Sequence, residues 1–222
     1  MLNMNFTQSV SIDTHSLKWV ASPMPGVVRK PLAREEAEQG HATSIVCYEP
    51  GASFSSHGHP KGEEILVLEG VFSDQTGDYQ AGTYFRNPEG FSHAPFSKEG
   101  CTILVKLHQF QADDSAHLAI QTNNAKWHRV NDSLEYLGLH HHKDEQVFMM
   151  RSGAELKVDL DEALKGLEIY VISGELLENG HRFSAGSWLR RPALNKKLHN
   201  DSQEDCYQLG SDTVVWIKMN HL

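Results

Sequence analysis

The chain has 222 residues, 39% of them hydrophobic, and a formal net charge of −9, enough apolar material for one large β domain or two small ones. That charge argues against nucleic acid as a direct partner, because phosphate binding calls for clustered lysine and arginine. No apolar run approaches the ~20 residues that span a bilayer, and the three cysteines (Cys47, Cys101, Cys206) form neither a CxxC pair nor an even set, which argues against a disulfide framework.

Residues 1–17 are polar and patternless, and are expected to be a poorly ordered arm. They show no basic segment followed by an apolar one, so a cytoplasmic protein is expected. From Trp19 the chain breaks into short runs between turn formers such as Ser22-Pro23-Met24-Pro25-Gly26, Glu49-Pro50-Gly51, Gly77-Asp78 and Asn87-Pro88-Glu89-Gly90. The runs Thr43-Tyr48, Ile65-Leu68 and Thr102-Leu107 read as strands, and close turn spacing predicts an all-β sandwich or barrel. Pro31 to Glu38 has some helical composition without an apolar stripe, and is expected to be a loop or a single turn. Ile65-Leu66-Val67-Leu68 is apolar on both faces, so something must cover the face that does not fill the barrel.

Within this pattern lies a set of metal-ligand residues. His57 and His59 stand one residue apart, Glu63 follows after three more, and His93 comes thirty residues later behind Pro88 and Gly90. On an extended segment residues i and i+2 point to one side, so His57 and His59 can converge, with Glu63 adding an oxygen and a paired strand returning His93. Three imidazoles and a carboxylate suit a divalent transition metal, one per chain: zinc first, with iron, manganese, nickel or copper as alternatives.

The glycines and prolines sharpen the pattern. Gly51, His57, His59, Glu63 and Gly70, then Gly82, Pro88, Gly90 and His93, resemble both halves of the cupin signature, with Ser97 where its closing asparagine would stand. The resemblance implies a double-stranded β-helix, the cupin jelly roll, with a metal inside. A second copy follows. Lys126-Trp127 echoes Lys18-Trp19, Lys165-Gly166 echoes Lys61-Gly62, and the pairs Gly70/Gly174, Gly82/Gly186 and Pro88/Pro192 all stand 104 residues apart. Two tandem barrels are therefore expected: an arm over 1–17, a metal-binding cupin over 18–112, a linker over 113–124, and a second cupin over 125–222.

The repeat acts as an internal control. At the 104 offset Glu63 becomes Leu167 and His93 becomes Lys197, while His57 and His59 fall near Asp161 and Ala163. The ligands are lost and the glycines kept, so the second half is expected to be a metal-free copy. Glu64 persists as Glu168 and Arg86 as Arg190, which reads as a fold or surface role, and Glu64 should face away from the metal. His140-His141-His142 precedes the repeat's Gly153, so it is not the displaced motif; it reads as an exposed polar strand end or loop, with a second metal site left open. His41, His108 and His117 read as single, non-ligating histidines. Tyr84, Phe96 and Phe54 are candidates either to line a pocket or to fill the barrel, and Cys101 and Cys47 to behave as small buried apolar groups.

The run from Gly62 to Phe110 is more similar to one cupin in particular, that of the ChrR-type anti-sigma factors, over about eighty residues including His57, His59, Glu63 and His93. That resemblance implies a zinc site and a regulatory, sensing or ligand-binding role. In that family a separate helical zinc domain before the cupin binds the sigma factor. Here about forty cysteine-free residues precede the first core strands, so the expectation is a protein lacking that domain. The other reading is an enzyme, a metal-dependent dioxygenase acting on a small organic substrate with open metal positions; catalytic residues are not assigned by either. The partner is expected to be a small molecule or a protein, with neither nucleic acid nor membrane involved and a homodimer left open.

Overall fold

The computed structural model describes residues 1–35, 40–160, 163–193 and 206–222, and no helix occurs among them. The strands of the first half are β1 (Val10–Asp13), β2 (Val20–Ala21), β3 (Val27–Arg34), β4 (Ala42–Tyr48), β5 (His57–Gly58), β6 (Glu63–Asp74), β7 (Gly77–Gln80), β8 (Thr83–Asn87), β9 (Ser92–His93) and β10 (Cys101–Leu107). Those of the second are β11 (Leu118–Gln121), β12 (His128–Arg129), β13 (Leu134–His142), β14 (Glu145–Ser152), β15 (Leu156–Val158), β16 (Leu167–Ser173), β17 (Glu175–Glu178), β18 (His181–Ser184), β19 (Ser187–Arg191), β20 (Tyr207–Leu209) and β21 (Thr213–Met219).

They divide into two compact units, Met1–Met4 with Leu17–Ala125, and Asn5–Ser16 with Lys126–Leu222. The large sheet of the first unit runs β11-β8-β6-β10-β4-β3-β2, and that of the second β1-β19-β16-β21-β14-β13-β12. The two orders match strand for strand. In the first unit Ile65, Val67, Phe72, Phe85, Ile103 and Val105 pack one core; in the second, Leu167, Ile169, Val171, Leu189, Val215 and Ile217 pack another. Alternation along each strand sends these residues to one face.

Both units turn a corner at the same place. The β6–β10 register slips between Thr102 and Ile103, just before Gly70, whose φ is +71°. A Cβ on Gly70 would come within 2.1 Å of the Gly100 carbonyl, so only glycine lets the strands approach here. Beyond that bend β6 leaves the large sheet and pairs with β7. The second unit repeats the device, with a slip between Val171 and Ser173 and Gly174 at φ +73°. Bulges of this kind bend strands at barrel corners.

Three expectations change. Residues 1–17 are not a loose arm: β1 pairs with β19, and Thr14 donates its amide and its Oγ1 to the Gly186 carbonyl at 3.0 and 2.7 Å. The expected linker likewise holds β11, which pairs with β8, and Thr122 makes the same two bonds to Gly82 at 3.0 and 2.7 Å. Val10 and Leu118, like Thr14 and Thr122, are 108 residues apart, so β1 and β11 are copies of one leading strand. Each lies in the unit whose core comes from the other repeat. Both are short edge strands with one face in solvent, and so carry little local apolar signal. Third, Pro31–Arg34 continues β3, whose register shifts between Pro31 and Ala33, a proline position tolerated where the ladder is irregular; residues 36–39 lie outside the described residues.

Both faces of Ile65–Val67 are buried, Leu66 being as enclosed as its neighbours. Glu64 and Arg86 are not surface groups either, being 2% and 0% exposed. Tyr84 donates to Glu64 Oε1 at 3.0 Å, and Arg86 pairs with Asp114 at 2.8 Å while its guanidinium lies 3.8 Å from the Phe110 ring.

Candidate metal centre

The ladder β5–β9 is two residues long and sets His57 opposite His93. After β5 the chain turns through Lys61 and Gly62, both at positive φ, and the Gly62 amide donates to the His59 carbonyl at 3.0 Å. That turn brings His59 and Glu63, the first residue of β6, to the same point. His59 Nε2 lies 3.4 Å from Glu63 Oε1, His93 Nε2 lies 3.3 Å from Glu63 Oε2, and the two Nε2 atoms are 3.4 Å apart. His57 completes the group, with one ring nitrogen of each histidine within 4.8 Å of the others. His93 and Glu63 are buried, His57 and His59 half-buried.

These spacings test whether a metal fits. Ligands about 2.1 Å from a tetrahedral ion are about 3.4 Å from one another. The His59 and His93 Nε2 atoms are 3.4 Å apart, and each lies 3.3–3.4 Å from one of the two Glu63 oxygens, so the residues present fit such an ion in donor type and in these spacings.

The electrostatics agree. Burial pushes the Glu63 carboxyl above its usual range, a rise His93, Asn87 and His57 partly oppose and Asp74 reinforces. Burial, with His57 and His108 adding to it, lowers His59 from 6.5 to about 3, so the ring is a neutral lone-pair donor at ordinary pH. Tyr48 is raised well above 10, chiefly by burial and then by Glu63. A buried, costly carboxylate beside the neutral His59 ring is stabilised by a cation.

The residues behind the four were not singled out in the sequence. Asn87 donates to Glu63 Oε2 at 3.1 Å, the Ser55 carbonyl lies 2.8 Å from His57 Nδ1, and Asp74 Oδ2 lies 3.3 Å from His93 Nδ1. His108, read as a lone histidine, holds its Nδ1 2.6 Å from the Pro60 carbonyl, with its ring 5.8 Å from that of His59. Of the aromatic candidates Phe54 does border the cluster, its ring 5.5 Å from His57. Phe96 pairs through its backbone with Ser53 and Ser73. Tyr84 is on the other face, with Glu64. The 104 offset was the one signal for Asp74 and Asn87, whose counterparts Glu178 and Arg191 are again charged or polar.

In the second unit Leu167 and Ala163 sit in the apolar core; Asp161 and Lys197 lie outside the described residues. His140 and His142 share one face of β13 with parallel rings 6.5 Å apart, while His141 is exposed on the other.

A family model described as the ChrR Cupin-like domain matches twice, over residues 7–111 and 115–211. The chain belongs to the ChrR cupin-like domain family. Each match begins ahead of one leading strand, β1 or β11. No curated protein matches the chain significantly. Among solved structures it is similar to a candidate dioxygenase from Nostoc punctiforme PCC 73102, at 14% identity and TM-score 0.74 over 97% of this chain and 84% of that one. The bacterial pirin YhhW of Escherichia coli, solved in complex with nickel(II), shares 14% identity at TM-score 0.68 over 96% and 98%. An oxalate decarboxylase of Lactobacillus farciminis, in a formate complex, shares 12% at 0.66 over 96% and 86%. At these identities the likeness is one of fold, and this ChrR-like cupin chain is a bicupin: all-β, two jelly-roll barrels in tandem. Among the described residues no helix is long and apolar enough to cross a membrane.

Proposed function

We propose that His57, His59, Glu63 and His93 hold one divalent transition metal, zinc first, and that the protein is a cytoplasmic sensing or ligand-binding regulator acting through a small molecule or a protein partner. The observation that carries this is the buried Glu63 carboxylate meeting two imidazole Nε2 atoms at 3.3–3.4 Å. Four protein donors are the number a closed, structural zinc takes, and family membership supports the regulatory role. The bound ion would supply Lewis acidity and fixed positive charge. The chain's own residues orient the rings through Ser55 and Asp74, hold Glu63 through Asn87 and keep water from the buried side. Metal analysis of freshly purified protein tests the reading: stoichiometric zinc, lost in a His57→Ala, His93→Ala double variant, is expected, and full metal content in that variant would sink it.

The second reading, a metal-dependent dioxygenase, is favoured by the half-buried His57 and His59, which leave one side of the cluster near solvent. It predicts iron or manganese instead of zinc, and oxygen uptake with a small organic substrate.

A further inference from the structure

The geometry points to Asp74 and Gln75, at the tip of the β6–β7 hairpin, as the residues that position His93. The inference rests on the metal reading above and extends it to what stands behind a ligand. Asp74 is buried, its side chain fully so. Its Oδ1 accepts from the Thr76 amide at 2.7 Å and from Thr76 Oγ1 at 2.5 Å, which fixes the carboxylate within its own turn. Its other oxygen, Oδ2, faces His93 Nδ1 at 3.3 Å. Gln75 grips the backbone on both sides of the same residue: its Nε2 donates to the Ser92 carbonyl at 2.9 Å, and its Oε1 accepts from the Ala94 amide at 3.0 Å. Ser73 and Phe96 continue the grip with two backbone bonds of 2.9 and 2.8 Å.

The chemical consequence concerns the tautomer. A neutral imidazole carries one N–H. Donating it from Nδ1 to Asp74 leaves the lone pair on Nε2, the atom that faces Glu63 and His59. A carboxylate behind a ligating ring fixes its orientation and raises its basicity. Asp74 also adds a second negative charge to that of Glu63, so the cluster as a whole balances a dication. His57 Nδ1 faces a neutral carbonyl, that of Ser55, whereas His93 Nδ1 faces a carboxylate.

A mere turn-closing role for Asp74 would account for the Thr76 bonds alone. The second unit speaks against it. Glu178 stands at the equivalent hairpin position, and its carboxylate is taken up by Arg191 and by the Tyr207 hydroxyl, so in both copies this acid serves a partner outside its own turn.

The test is zinc affinity of the full-length protein, measured by competition with a chromophoric chelator, together with the visible absorption of the cobalt(II)-loaded protein. Asp74→Asn keeps the shape and an acceptor for Thr76 while removing the charge. It is expected to bind zinc about 10–100-fold more weakly, with shifted cobalt bands and an unchanged melting point for the metal-free protein. Asp74→Glu should recover part of the affinity, Gln75→Ala should show a smaller loss, and the exposed control Glu99→Gln should show none. Wild-type affinity and an unaltered cobalt spectrum in Asp74→Asn would overturn the inference. If that variant fails to fold, the exposed Gln75 decides, and undiminished affinity in Gln75→Ala overturns the clamp. If the wild type itself takes up neither zinc nor cobalt, it is the metal reading that fails, and the inference with it.

Discussion

The two units share one backbone plan and solve one electrostatic problem in opposite ways. At positions 63, 74 and 87 the first unit has Glu, Asp and Asn; 104 residues on, the second has Leu167, Glu178 and Arg191. In the first, two acids and three imidazoles converge with no cationic side chain among them, and the arrangement asks for a cation. In the second, the acid at 167 has gone, and Arg191 meets Glu178 through two nitrogens while Tyr207 donates to it at 3.1 Å. That site is neutral by itself. At the equivalent place the second unit sets an arginine beside its acid, where the first leaves its acids among imidazoles.

The largest expected effect comes from removing the proposed metal. Ligand linkage at a thousandfold excess over Kd is worth about 4 kcal/mol, so a strong chelator should lower the melting point of the first unit by more than ~15 °C and leave the second unchanged. A domain-resolved melt in EDTA measures this, and equal responses in both units would dissolve the comparison. Next in size is Arg191→Ala, which strands the mostly buried Glu178 and also removes bonds to the Val10 carbonyl and Ser11 Oγ on β1. It should cost the second unit about 3 kcal/mol with no loss of metal, read from urea unfolding and metal content together.

A smaller, reciprocal pair tests the exchanged leading strands. Thr14→Val should destabilise the second unit by about 1 kcal/mol and Thr122→Val the first by a similar amount. Amide exchange near Gly186 and near Gly82 would report which unit responds, and the reverse assignment would refute the exchange. The smallest effect concerns thiols. Burial raises Cys101 from 9.0 to about 11, whereas Cys206 in the second unit is only half-buried. A thiol-reactive dye at pH 8 should therefore label Cys206 and spare Cys101. Because the folded pKa lies above the unfolded one, the contribution of Cys101 to stability is complete below pH 9 and is lost as the pH rises from about 9 to about 11; labelling of native Cys101 at pH 8 would contradict this.

The sequence by itself determined the all-β class, the two copies and the four residues that meet, because glycines at bends, prolines at turns and histidines at fixed spacing are local signals. It also separated Glu63 from Glu64, since neighbours on a strand face opposite sides. Tertiary structure alone decided three things. It put the leading strands of the two repeats in each other's units, which no local pattern announces, because a four-residue strand with one wet face has almost no periodicity and Val10 finds its partner Arg190 across 180 residues. It buried Glu64 and Arg86, which composition placed as readily on a surface. It aimed Asp74 and Gln75 at His93, a contact made only when the hairpin tip folds back on the strand that ends in that ligand. Spacing reports what one segment can present; what receives it depends on segments brought together by the burial of both cores.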